Sequence, residues 1–125
     1  MNIQIKIDGE WGIVKSTQGE IKFSIDNDGI SVFEIFVIKK RCGIGTALIE
    51  KLEDFCLHRI NIRQITVPST PSRQALSFWL AKGYNYVFPE DSDIGYTILN
   101  SQDPEKIEDT NSGIILLRKI VKNHH

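Results

Sequence analysis

At 125 residues, with 41% apolar and 25% charged residues and a formal net charge of −1, the chain has the size and balance of one ordinary globular domain spanning 1–125. Interspersed acids and bases exclude a general electrostatic hold on nucleic acid, and the lack of a long apolar run argues against a membrane partner. Cys42 and Cys56 have no metal-ligand spacing; they read as free thiols in a reducing cytoplasm, and no leader-like stretch points to secretion.

Ile3, Ile5 and Ile7 alternate with Gln4 and Lys6, the period of a half-buried strand, and predict β structure over 2–7. Asp8-Gly9-Glu10 reads as a turn, 11–15 as a short second strand, and the polar 16–19 as its close. Ile21, Phe23 and Ile25 alternate up to Asp26-Asn27-Asp28-Gly29, a hairpin signal that hands over to a strand at 30–38. Residues 1–38 are therefore expected to form an antiparallel meander without a helix.

Helical spacing begins at Gly45. Leu48, Ile49, Leu52, Phe55 and Cys56 recur three and four residues apart, opposite Glu50, Lys51, Glu53 and Asp54, so an amphipathic helix is predicted to run to about Arg59. A short strand at 62–67 follows, and strand, helix, strand in this order favours parallel pairing through a right-handed crossover. Thr70-Pro71 reads as an N-cap followed by the first position of a helix over 71–82, with Gly83 just past its end. Strand is expected at 84–88 and again at 113–121. The polar stretch 89–112 between them is rich in Asp and Glu and is interrupted by a strand-like 95–99. The fold class is α/β (α+β): a mixed central sheet with an N-terminal antiparallel meander, two main helices and a C-terminal strand.

The organising stretch is Val37-Ile38-Lys39-Lys40-Arg41-Cys42-Gly43-Ile44-Gly45-Thr46, where an apolar strand runs in and the first helix runs out. A helix N-terminus offers backbone N–H groups without intrahelical partners and the positive end of the macrodipole, and so suits phosphate. Gly43 and Gly45 permit close backbone approach and positive φ, and Lys40 and Arg41 add two cations. The spacing is neither G-x-x-x-x-G-K-[ST] nor G-x-G-x-x-G; it is basic-x-x-Gly-x-Gly. On the plainer reading it is a strand-to-helix turn with solvated lysines.

This loop resembles the R/Q-x-x-G-x-G/A loop of the GCN5-related N-acetyltransferases (GNATs). Ser72 to Tyr84 is similar to that family's N-x-x-A-x-x-F/L-Y-x-x-x-G-F segment, with Ala75, Phe78, Gly83 and Tyr84 matching, and Gly113-Ile114-Ile115-Leu116-Leu117-Arg118-Lys119 looks like its last strand. The resemblance covers about 30–84 and the chain's last strand. It implies acetyl-CoA (CoA) as cofactor, its pyrophosphate held by Lys40, Arg41, Cys42, Gly43, Ile44, Gly45 and Thr46. Its pantetheine arm would pair with a bulged strand at Phe36 and Val37, with Ser72 and Trp79 in support. The partner is then an amine acceptor, either a small molecule or a peptide or protein. Exposed strand edges are compatible with a homodimer.

Three departures stand out. Ser72 replaces the family's common Asn. Trp79 replaces the Tyr that protonates the departing thiolate, and an indole N–H cannot supply a proton at useful pH. The two helices that wall the family's acceptor site have no room in 8–19, so the acceptor side is expected to be open. Glu34, on the strand entering the loop, is the candidate base, where flanking Phe33, Ile35 and Phe36 would desolvate it if it faces the cleft; otherwise it faces solvent. Tyr84 is the first candidate to replace the missing acid, with Tyr86, Ser69, Ser77 or water behind it. Cys42 reads as a small packing residue, His58 as a helix C-terminal residue suited to the dipole, and Trp79 equally as core. The expected function is acyl transfer from acetyl-CoA to a primary amine by direct attack. The alternatives are a non-catalytic acyl-CoA-binding or partner-binding module and a structural domain that binds no nucleotide.

Overall fold

A computed structural model describes residues 2–27, 29–39, 43–59, 61–70, 72–87 and 115–121. The elements run β1 (Gln4–Asp8), β2 (Trp11–Ser16), β3 (Gly19–Ile25), β4 (Gly29–Val37), α1 (Ile44–Leu57), β5 (Gln64–Ser69), α2 (Arg73–Ala81), β6 (Asn85–Tyr86) and β7 (Ile115–Ile120). The strands form a seven-stranded mixed sheet in the order β1-β2-β3-β4-β5-β7-β6. Contacts group the chain into two units, 1–65 with 120–125, and 66–119.

In the first unit β1 to β4 pair antiparallel as neighbours, the meander expected from the alternating isoleucines. The Asp26–Gly29 corner closes as a turn: the Asp26 amide donates to the Gly29 carbonyl at 2.9 Å, and the Gly29 amide donates to Asp26 Oδ1 at 3.1 Å. One sheet face carries Val14, Ile21 and Phe23, all essentially inaccessible to solvent, and α1 packs on β2 and β3 with Leu48, Ile49, Leu52 and Cys56 buried. The helical stripe read from the sequence is thus the buried one. Phe55 lies against Phe23, with ring centroids 6.3 Å apart, and the Arg59 guanidinium stands 4.8 Å from the centre of the Phe55 ring.

In the second unit β6 pairs antiparallel with β7, and the Val87 amide extends the pairing by donating to the Leu116 carbonyl. Arg118 Nε donates to Thr66 Oγ1 at 3.0 Å. α2 begins later than the Thr70-Pro71 pair suggests. Its N-cap is Ser72, in extended conformation, whose Oγ accepts from the Ala75 amide at 3.2 Å. Thr70 and Ser72 are both good caps, and the hydroxyl that reaches an N3 amide decides between them. Gly83 takes positive φ just past the end of α2, as expected. β5 runs through Pro68 to Ser69 rather than stopping before it, because a proline forfeits one donor yet keeps an extended backbone. The acidic stretch 89–112, with its strand-like 95–99, lies outside the described residues.

Gly12 makes the packing of the meander possible. A Cβ there would sit 2.3 Å from Phe23 Cζ and 2.9 Å from Ile7 Cδ1, and the buried Phe23 ring has nowhere to swing. Gly12→Ala is expected to cost about 1–3 kcal/mol of stability by overpacking, read as a lower urea midpoint; an unchanged midpoint would show that the ring is not locked.

Candidate functional site

β4 supplies the site's first side chains, and a bulge sets where they point. Lys22 opposes Glu34 while Phe23 opposes Val32, which leaves Phe33 as the extra residue. A bulge of this kind turns two consecutive side chains to one side of the sheet. Phe33 and Glu34 both reach the face away from α1: Phe33 meets Trp11 edge to face at 5.3 Å, and Glu34 Oε2 lies 3.5 Å from Lys22 Nζ. The irregularity was expected at Phe36 and Val37, but these pair regularly with Glu20 and Gly19. Gly19 allows that pairing, since a Cβ on it would fall 2.6 Å from the Phe36 carbonyl oxygen.

The candidate base is therefore not desolvated by its neighbours. Phe33, Ile35 and Phe36 are themselves largely exposed, and the Glu34 side chain retains half of its accessible surface. Its environment is a cross-strand ammonium, which the linear sequence hides.

Beyond β4, Gly43 is the N-cap of α1 in left-handed conformation (φ 77°, ψ 2°), and no side chain caps this end of the helix. The Gly43 carbonyl accepts from the Ala47 amide, so the helix is closed one turn in. The amides ahead of it, of Ile44, Gly45 and Thr46, belong to the set without intrahelical acceptors. Gly45 is not a second positive-φ position: it lies inside the first turn of α1. Ile44 is buried and anchors the turn. Lys40, Arg41 and Cys42 lie outside the described residues.

The remaining predicted residues lie in the second unit. Ser72 caps α2, its oxygen accepting from the Ala75 amide, and it also lies 3.4 Å from the Thr70 hydroxyl, where either oxygen can be the donor. Trp79 is 6% exposed and stands edge to face between Phe78 at 5.0 Å and Tyr84 at 5.1 Å. Tyr84 is fully buried, with the Lys119 ammonium 5.7 Å from its ring centre. Tyr86 has a buried hydroxyl without a hydrogen-bond partner among the described residues, and burial pushes its pKa above that of an ordinary tyrosine. At the far end of α1, His58 donates from Nδ1 to the Asp54 carbonyl at 2.8 Å, which sets its tautomer and completes the helix C-terminus. Among the described residues no helix is long and apolar enough to cross a membrane, and no cluster of His, Cys, Asp and Glu could hold a metal.

Several solved structures with this fold are acetyltransferases. The ribosomal-protein-S18-alanine N-acetyltransferase from Escherichia coli matches with a TM-score of 0.65 at 15% identity, over 95% of this chain and 74% of that one. The aminoglycoside 6'-acetyltransferase type Ii matches at 0.64 and 18%, over 94% and 74%. The chain has the GNAT fold. A further similar structure is the anti-CRISPR protein AcrVA5, at a TM-score of 0.58 and 19% identity over 86% of this chain and 96% of that one. In sequence, the uncharacterized protein YxbD of Bacillus subtilis is 36% identical over 67 residues, a match that spans 53% of this chain and 42% of that protein. No protein-family profile matches the chain. Against the GNAT pattern, β1 turns directly into β2 at Gly9-Glu10, so the helices expected to be missing between the first two strands are missing.

What the sequence reading missed is the Trp11–Phe33 pair and the Lys22 partner of Glu34. A signal was present: the aliphatic positions of β4 change parity from Ile30 and Val32 to Ile35 and Val37, the mark of one inserted residue.

The unpaired Tyr86 hydroxyl yields a test. Its raised pKa means that the unfolded chain loses this proton first, so the tyrosine's contribution to stability is intact below about pH 10 and declines as the pH rises through the folded-state value. Tyr86→Phe is expected to stabilise the protein by about 1 kcal/mol at pH 7 and by more above pH 10, measured by urea unfolding; a loss of stability at pH 7 would mean that the hydroxyl is bonded.

Proposed function

We propose that this protein is an N-acyltransferase that moves an acetyl (acyl) group from acetyl-CoA to a primary amine by direct attack. The observation that carries the reading is the left-handed, uncapped Gly43 entry into α1 directly after β4 on a GNAT fold. In this reading the amides of Ile44, Gly45 and Thr46, with Gly43 leaving the approach clear, bind the pyrophosphate of CoA. Lys40 and Arg41 neutralise its charge, and Cys42 is a small residue within the loop. Backbone groups of Phe36 and Val37 align the pantetheine arm and polarise the thioester carbonyl.

Glu34 is the base. It takes a proton from the amine, whose nitrogen attacks the thioester carbon; the new C–N bond forms as the C–S bond breaks. The thiolate is a fair leaving group and takes its proton from water, while the buried Trp79 and Tyr84 pack the second unit. The Lys22 ammonium beside Glu34 is the group that an incoming amine replaces. The setting for this chemistry is the cytoplasm, where acetyl-CoA and free thiols coexist.

The test is thiol release from acetyl-CoA over a panel of primary amines, with calorimetry for the cofactor. Glu34→Gln is expected to lower kcat/KM by about 10² to 10⁴-fold while acetyl-CoA still binds. Gly45→Asp should keep the fold, since an acid in the first turn suits the helix dipole, and should weaken acetyl-CoA binding by about tenfold or more through repulsion of the phosphates. Binding without thiol release on any amine would turn the reading to a non-catalytic acyl-CoA-binding module. No binding would overturn it.

A further inference from the structure

The sheet face turned away from α1 carries Lys6, Ile13, Lys22 and Glu34 in one row across β1 to β4. Beside this row lies a hollow of about 260 Å³ walled by Trp11, Ile13 and Phe33, with Lys6, Asp8 and Lys22 at its rim. Trp11 is 58% exposed and Phe33 48%. Two large rings left half in water forgo about 25 cal/mol for each Å² of apolar surface that a ligand would cover. Their edge-to-face contact also leaves ring surface free for a third ring in the same geometry.

Size and chemistry narrow the occupant. A cavity of about 150 Å³ holds a benzene ring, so this hollow has room for one ring and a short alkyl stem. At its rim the Lys22 Nζ, a primary ammonium on an apolar stem, already lies 3.5 Å from Glu34 Oε2. An amine with a ring at the far end of a two-carbon stem reproduces both features, its ring against Trp11 and Phe33 and its nitrogen where Lys22 Nζ lies.

We propose that this hollow is the acceptor subsite and that its substrate class is small arylalkylamines; the proposal rests on the acyltransferase reading above. The β4 bulge is then the specificity device, because it places the aromatic wall and the base side by side. The amine nitrogen bonds to the acetyl carbon as the C–S bond breaks and the electron pair leaves with sulfur; Glu34 takes the proton that the nitrogen loses and passes it through water to the departing thiolate. The products are an N-acetylarylalkylamine and CoA.

The test uses the full chain with phenethylamine and ethylamine as probes. Acrylamide quenching reads Trp11 nearly alone, because the other tryptophan, Trp79, is buried. Phenethylamine is expected to protect Trp11 from quenching where ethylamine does not, and to be acetylated with a kcat/KM at least about tenfold higher, the scale of a few buried methylenes. Trp11→Ala, at an exposed position, should erase that preference while acetyl-CoA affinity stays unchanged. Ile13→Trp, which fills the hollow and keeps Trp11, should do the same. Equal kcat/KM for the two amines with no protection of Trp11, in a protein that binds and turns over acetyl-CoA, would overturn the subsite alone. Protection of Trp11 in a protein that binds no acetyl-CoA would support the hollow as an arylalkylamine site and overturn the acyltransferase reading.

Discussion

The packing of α1 on the meander is the constraint from which the first unit follows. Leu48, Ile49, Leu52 and Cys56 can leave water only by lying on Val14, Ile21 and Phe23, and Gly12 leaves the room that the Phe23 ring needs. That contact makes one sheet face core and the other solvent-facing among the described residues. It also brings the start of α1 to the end of β4: a Cβ on Gly19 would lie 3.2 Å from both Leu48 Cδ1 and Val37 Cα. The turn at Gly43 must then reverse the chain within a few residues, which the left-handed conformation allows at no steric cost. An uncapped helix end at the tip of a strand is thus a by-product of burying an amphipathic helix.

The opposite face shows the complementary economy. A half-exposed ion pair such as Lys22 with Glu34 is worth only about 0–1 kcal/mol, so on the proposed reading the exchange of the lysine ammonium for a substrate ammonium costs little. A deeply buried base would have been tuned by desolvation instead, and would have demanded a partner of its own. Where the GNAT fold commonly builds an acceptor wall from helices, this chain has a two-residue turn between β1 and β2. On the proposed reading, acceptor contacts come from strand side chains, above all Trp11 and the bulged Phe33.

Much of this was legible in the sequence, for physical reasons that differ by element. Period-two isoleucines in β1 and the Asp26–Gly29 corner are local signals, and so is the 3.6-residue stripe of α1; each depends on burial of one face and survives in any tertiary context. The Gly43 turn was legible because only a few residue types tolerate positive φ, whereas the assignment of positive φ to Gly45 failed because a helix may begin on either glycine. The N-cap shift from Thr70 to Ser72 is a contest between two adjacent hydroxyls that side-chain reach decides. The environment of Glu34 was hidden for a different reason: its partner Lys22 is brought opposite by hairpin register, and the bulge that aims Glu34 is a one-residue change of parity easily read as mere apolar richness.

The central claim is that the first turn of α1 holds the cofactor's phosphates. The direct measurement is a titration of isotopically labelled protein with CoA, following the backbone amide resonances. The account predicts that the amides of Gly43, Ile44, Gly45 and Thr46 shift furthest and saturate together, with their hydrogens moving downfield as phosphate oxygens accept from them. Saturable binding that leaves these amides unmoved and shifts another part of the chain, or no binding at millimolar CoA, would contradict it.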